Sequence, residues 1–143
     1  VGIKLEEPPV LGKLSQILDA APQMASLGGL GGVYYLEELM RGAAGIMTGF
    51  AYPEVLVDIY RRFAAGDVDG ATDVFDRHIP LIRYEFQNKI GLAFRKHVYR
   101  VRGIIESDHI RAPGMALDPR SRAELEALIK RVGLDLAAPA PVA

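Results

Sequence analysis

One lysine stands where its side chain could do covalent chemistry. Lys4 ends the apolar run Val1-Gly2-Ile3, which predicts a short strand. In parallel α/β folds the C-terminal ends of strands carry catalytic groups, and apolar walls at such a place disfavour the ammonium form of a lysine. A neutral amine there could attack a ketone and form an imine. The alternative is a strand-end lysine that only reaches solvent.

A run of glycines is the second feature that could bind a ligand. Gly28-Gly29-Leu30-Gly31-Gly32 follows a strand candidate and opens a helix, so its backbone N–H groups could hold a carboxylate or a phosphate. The glycine spacing differs from the dinucleotide-binding fingerprint, and the run has no Lys-Ser/Thr pair of the P-loop kind. The alternative is a tight strand-to-helix turn.

The elements that must position these residues follow from hydrophobic periodicity. The pattern predicts strands over residues 1–4, 23–27 and 45–49. It predicts the helices between them over residues 10–20 and 33–41. Such alternation is typical of parallel α/β architecture. After residue 50 the pattern predicts helices over 53–65, 69–87, 88–102 and 119–132. Pro80 predicts a kink or a break, and Asp118 predicts the N-cap of the last helix.

Composition narrows the function classes. The 143 residues carry a net charge of −1, so nothing indicates nucleic acid or an anionic membrane as a partner. There is no cysteine, and the histidines are isolated, so we expect neither a metal site nor a cofactor. We expect His78 and His97 at the surface, and the basic stretch from Arg83 to Arg102 on a solvated helix face. No apolar run reaches the roughly 20 residues of a membrane span, and a cytoplasmic location is expected.

Three short parallel strands would leave two open sheet edges and an uncovered apolar face. The chain also opens directly on a strand-like run, whereas domain boundaries favour exposed linkers. We therefore expect a separate N-terminal half to cover the sheet.

The order of several short motifs resembles the dihydrodipicolinate synthase and N-acetylneuraminate lyase superfamily. Each motif is weak alone, and the resemblance extends to about Leu134. The motifs are Gly2-Ile3-Lys4, Gly28-Gly29, the run from Gly42 to Gly49, the run from Phe63 to Asp67, Pro80-Leu81, and the run from Arg111 to Leu117.

The resemblance implies a fold and a site. The fold would be the C-terminal part of a (β/α)₈ TIM barrel, with strands six to eight in residues 1–50 and a helical region in 51–134. Beyond the resemblance, the Ala- and Pro-rich composition predicts a disordered tail over residues 135–143. Lys4 would form the Schiff base with pyruvate or a related 2-oxo acid. Gly28 or Gly29 at the exit of strand seven, and Met47 on strand eight, would line the substrate pocket. A homodimer or homotetramer would be the assembly.

The resemblance also has departures. Lys4 is followed by Leu5-Glu6-Glu7-Pro8-Pro9 rather than by the Glu-Ala-x-Gly-like stretch common in true dihydrodipicolinate synthases. A 4-hydroxy-tetrahydrodipicolinate synthase, a 2-oxo sugar-acid dehydratase and another aldolase all stay open. The family's Thr-Thr carboxylate clamp and catalytic tyrosine lie in the first half of the barrel, so this chain alone is expected to be inactive. The alternative function is a non-catalytic barrel-family regulator or a helical assembly module.

Overall fold

Three short parallel strands and a larger set of helices make up the computed structural model, which describes residues 1–137. The strands are β1 (Gly2–Lys4), β2 (Ala25–Gly28) and β3 (Gly45–Ile46), in the spatial order β1-β2-β3. The helix-rich α/β class and the parallel sheet predicted from the sequence are confirmed.

Two helices connect the strands. Helix α1 (Val10–Ala20) lies between β1 and β2, and a 3₁₀ turn (Leu30–Gly32) leads from β2 into α2 (Tyr35–Met40). The third strand is shorter than the predicted 45–49. Its neighbour β2 ends at Gly28. The last hydrogen bond between β2 and this segment is donated by Met47 N to Gly28 O, at 3.0 Å. Residues beyond Met47 therefore have no strand beside them among residues 1–137.

Four helices follow the sheet: α3 (Pro53–Ala64), α4 (Val68–Glu85), α5 (Gly91–Val101) and α6 (Pro119–Arg131). The predicted cap of the last helix is confirmed, since the Asp118 carboxylate accepts hydrogen bonds from Arg120 N and Ser121 N. A break at Pro80 is wrong, because α4 continues through it. Proline removes one helical hydrogen bond, and the wholly buried Leu81 and Ile82 hold this part of the helix in the core.

The main hydrophobic core lies among the helices rather than on the sheet. It joins α2 to the four C-terminal helices, and its most deeply buried large side chains include Tyr35, Tyr52, Ile59, Phe94 and Ile129. A smaller cluster of Leu5, Val10, Leu14 and Ala43 lies against α1. In contrast, all three residues of β1 are exposed. The helices therefore anchor the sheet from one side and leave its other face open.

Three polar residues expected at the surface are buried. His97 places Nε2 3.0 Å from Glu126 Oε1, and His78 places Nδ1 2.7 Å from Val74 O. The Arg102 side chain is 1% exposed and donates a 2.7 Å hydrogen bond to Ala51 O. The surface prediction was wrong because partners for His97 and Arg102 come from elements distant in sequence, and buried polar groups are tolerated once they are hydrogen-bonded.

Within residues 1–137, no helix has both the length and the apolar character needed to cross a bilayer. The same residues contain no cluster of three His, Cys, Asp or Glu side chains suited to a metal ion. Most of the predicted disordered tail, residues 138–143, lies outside the described residues. At its start, Leu136 packs against the main core.

Candidate functional site

The two outermost strands direct one side chain each to a common face of the sheet. Lys4 pairs in register with Leu27, and Leu27 pairs with Gly45, so these three residues share a face. Met47 follows Gly45 by two residues and belongs to the same face, whereas Ile46 points to the other face and packs against the helical core. Lys4 and Met47 therefore lie on the face that the helices leave open.

A cavity of about 770 Å³ extends along this face. Its wall is formed by the ends of β1 and β3 and by the segment that joins α4 to α5. The turn between β2 and α2, residues 28–32, also contributes and is called the glycine turn below. The main lining side chains are those of Lys4, Glu6, Met47, Thr48, Glu85, Phe86, Lys89 and Arg95. Two of the residues predicted from the sequence, Lys4 and Met47, are thus brought to one cavity.

The Lys4 side chain is held by a neighbouring carboxylate. Its Nζ lies 3.2 Å from Glu6 Oε1, and the lysine side chain is 37% exposed. The same Glu6 oxygen accepts a 3.4 Å hydrogen bond from Leu30 N. Glu6 therefore contacts both the lysine amine and the backbone of the glycine turn.

The glycines of the turn make room for side chains that cross it. A Cβ on Gly29 would lie 2.4 Å from Glu6 Oε1, and a Cβ on Gly31 would lie 2.3 Å from the Phe86 ring. Gly31 also has a φ of +70°, a conformation that side-chain-bearing residues rarely adopt. Of the glycines in the run, Gly31 lines the cavity, while Gly28 and Gly29 are not among its described lining residues.

Behind the turn, Gly28 faces a buried carboxyl. A Cβ on Gly28 would lie 1.9 Å from Glu38 Oε2, and Glu38 is 1% exposed. Neither carboxyl oxygen of Glu38 has a hydrogen-bond partner among the described residues. Burial, with a smaller contribution from the charge of Glu37, raises the pKa of Glu38 to about 7.

Sequence reasoning missed Glu85, the last residue of α4. It is 1% exposed, and its Oε2 accepts a 3.0 Å hydrogen bond from Ala51 N. Burial raises the pKa of Glu85 to about 8, although the Ala51 N–H and the charge of Arg95 partly offset the rise. A signal was present in the sequence, because Glu85 continues the buried stripe of Phe75, His78 and Ile82 at helical spacing.

Arg95 on α5 was also misread, as part of a solvated basic face. It lines the cavity instead, and its Nη1 donates a hydrogen bond to Gly49 O. No sequence signal separates Arg95 from its basic neighbours, because its placement depends on how α5 packs beside the exit of β3.

No protein-family model matches the chain. The chain is 30% identical over 131 residues to L-2-keto-3-deoxyarabonate dehydratase of Azospirillum brasilense, a match that covers 90% of this chain and 42% of that protein. The crystal structure of dihydrodipicolinate synthase from Rhodopseudomonas palustris superposes with a TM-score of 0.86 at 38% identity, covering 91% of this chain and 45% of that one.

A further similar structure is that of a prophage protein of the dihydrodipicolinic acid synthase family from E. coli K12, in complex with pyruvate. Its TM-score is 0.80 over 94% of this chain and 47% of that one, and at 21% identity it supports the fold alone. The chain thus spans less than half the length of each of these proteins.

Proposed function

Because this chain belongs to the dihydrodipicolinate synthase family and spans less than half the length of its relatives, we propose that it is part of a class I lyase. In this proposal it supplies strands six to eight of a (β/α)₈ barrel together with the C-terminal helical region. The substrate is pyruvate or a related 2-oxo acid, and Lys4 is the residue that forms the imine with it.

The observation that carries the proposal is the position of Lys4. It ends β1 on the face left open by the helices and lines a cavity of about 770 Å³ together with Met47. Cavities of about 300–1,000 Å³ are typical of small-molecule sites. The C-terminal ends of parallel barrel strands are also where catalytic groups of this architecture occur.

The chemistry follows from an amine in such a cavity. The Lys4 Nζ attacks the ketone carbon of the 2-oxo acid, and loss of water from the adduct gives an imine. The protonated imine accepts the electron pair released when a proton or a neighbouring carbon leaves, so an enamine forms. In this proposal the clamp for the substrate carboxylate and the tyrosine that moves the proton come from the other half of the barrel.

Borohydride reduction with pyruvate on the full-length protein tests this proposal. We expect a mass increase on the peptide that contains Lys4, and no such increase in Lys4→Ala. Lys13→Ala is a matched control, since Lys13 is also ion-paired, to Glu7 at 2.9 Å, and its side chain is 30% exposed. A reduced adduct that persists in Lys4→Ala would show that the imine forms on another lysine.

Two finer expectations belong to the same proposal. A homo-oligomer and a cytoplasmic location stay predictions from the family resemblance and from the sequence. The choice among synthase, aldolase and sugar-acid dehydratase depends on how the cavity holds the part of the substrate remote from the ketone.

A further inference from the structure

We infer that Arg95 and Glu85 form a subsite for a second carboxylate of the substrate, separate from the ketone carbon that Lys4 attacks. The inference rests on the proposed function, because that proposal identifies the 2-oxo group as the end of the substrate that reacts with Lys4. It adds a substrate class, 2-oxo acids that end in a distal carboxylate.

Arg95 has hydrogen-bond donors in the cavity for which residues 1–137 provide no acceptor besides Gly49 O. Its Nη1 donates to Gly49 O, and none of the carboxylates in residues 1–137 forms an ion pair with it. The guanidinium lies against glycine backbone: a Cβ on Gly49 would be 3.1 Å from Cζ, and one on Gly91 would be 3.7 Å from Nη2. A guanidinium has five N–H donors in a planar fork that matches a carboxylate.

Glu85 adds a second donor beside this guanidinium. Its Oε2 accepts from Ala51 N, while its Oε1 is buried and has no hydrogen-bond partner among the described residues. A carboxyl group in that setting keeps its proton, because burying a charged carboxylate without full hydrogen bonding is costly. The raised pKa of Glu85, about 8, agrees with this. With Oε2 accepting, the proton belongs on Oε1. Because Glu85 lines the cavity, a turn of the buried carboxyl group brings this O–H to an acceptor there.

The sum of charges in the cavity favours an anion. Lys4, Lys89 and Arg95 bring positive charge, Glu6 brings one negative charge that is paired with Lys4, and Glu85 is neutral. Two donors without acceptors and a surplus of positive charge match a carboxylate better than a hydroxyl group, which brings its own proton. A purely structural role for Glu85 would account for the hydrogen bond to Ala51 N. It would not account for a buried Oε1 that has no hydrogen-bond partner among the described residues.

A comparison of two acids of equal length tests the subsite. We would measure by calorimetry the binding of 2-oxoadipate and 2-oxohexanoate to full-length Lys4→Ala, in which no imine forms at that residue. We expect 2-oxoadipate to bind about tenfold more tightly, the gain typical of one charge-assisted hydrogen-bond pair. In Lys4→Ala combined with Arg95→Met the ratio of the two affinities should fall to about one.

Two further variants keep the result interpretable. Arg61→Met, which removes an exposed arginine of α3, should leave the ratio unchanged. Arg95→Lys keeps the charge and should keep part of the preference, which covers the case in which Arg95→Met does not fold.

Each outcome decides for or against the subsite. Equal binding of the two acids to Lys4→Ala overturns it, as does a preference that survives Arg95→Met or is lost equally in Arg61→Met. Tighter binding of hydroxylated 2-oxo acids such as 2-keto-3-deoxy sugar acids than of 2-oxoadipate also overturns it. Failure of pyruvate to label Lys4 in the wild-type protein would instead reject the proposed function, because the calorimetric ratio does not depend on the imine.

Discussion

The protonation state of a single residue, Glu85, links the site to folding stability. Its carboxyl is 1% exposed, with one oxygen bonded to Ala51 N and the other without a partner among residues 1–137. In the unfolded chain the carboxyl is in water, with a pKa near 4.5, and in the folded protein burial raises the pKa to about 8. Between these values the folded protein binds a proton that the unfolded chain has released.

Glu85→Gln should therefore flatten the dependence of stability on pH. The contribution of Glu85 is complete below pH 4.5 and is lost as the pH rises towards 8, at up to about 1.4 kcal/mol per pH unit. Glutamine can accept from Ala51 N and cannot ionise. The free energy of urea unfolding, measured from pH 5 to pH 8, should fall more steeply in the wild type than in the variant. Parallel curves for the two proteins would mean that Glu85 ionises normally in the fold.

At the scale of an element, the turn from β2 to α2 is fitted to its neighbours by glycines. Gly31 has a φ of +70°, and a Cβ there would lie 2.3 Å from the Phe86 ring in the segment after α4. The turn thus holds together two parts of the chain that both line the cavity. Gly12 in α1 differs, because a Cβ there would meet nothing within 4 Å.

Alanine at these two glycines should have opposite effects. Gly31→Ala should lower the free energy of unfolding by about 1–3 kcal/mol, since it adds backbone strain and displaces Phe86. Gly12→Ala should raise it by about 0.5–1 kcal/mol, since alanine loses less conformational freedom in a helix. Chemical denaturation of the two variants checks both signs. A neutral Gly31→Ala would contradict the tight packing between the turn and Phe86.

At the scale of the whole molecule, the sheet is incomplete on its own. Within the described residues β1 pairs with β2 alone, all three residues of β1 are exposed, and Met47 is 51% exposed beside the cavity. Parallel sheets are ordinarily covered on both faces. We therefore expect the proposed other half of the barrel to pack against the open face and pair along the free edge of β1.

Hydrogen exchange tests that arrangement. In the full-length protein the peptide spanning residues 1–5 should exchange its backbone amides more slowly than in this chain prepared alone, because the free edge of β1 becomes paired. The α4 peptide spanning residues 75–82 is the control, since its amides are protected by the helix in both forms. Equal exchange of residues 1–5 in the two proteins would argue against pairing along β1.

The sequence by itself determined the order of the elements and one side of the candidate site. Periodicity is a local property, so the strand-helix alternation, the cap at Asp118 and the position of Lys4 at a strand end could all be predicted from neighbouring residues. Met47 was placed by family resemblance and lines the same cavity as Lys4. That Lys4 forms an imine stays a prediction.

Only the tertiary structure decided which residues line the cavity together with Lys4. Glu85 and Arg95 lie more than 80 residues further along the chain, and their roles depend on how α4 and α5 pack beside the strand ends. The burial of His97 and Arg102 likewise depends on partners from distant elements. Whether a charged or polar side chain is solvated, paired or buried in a cavity depends on contacts distant in sequence, and local periodicity carries no information about them.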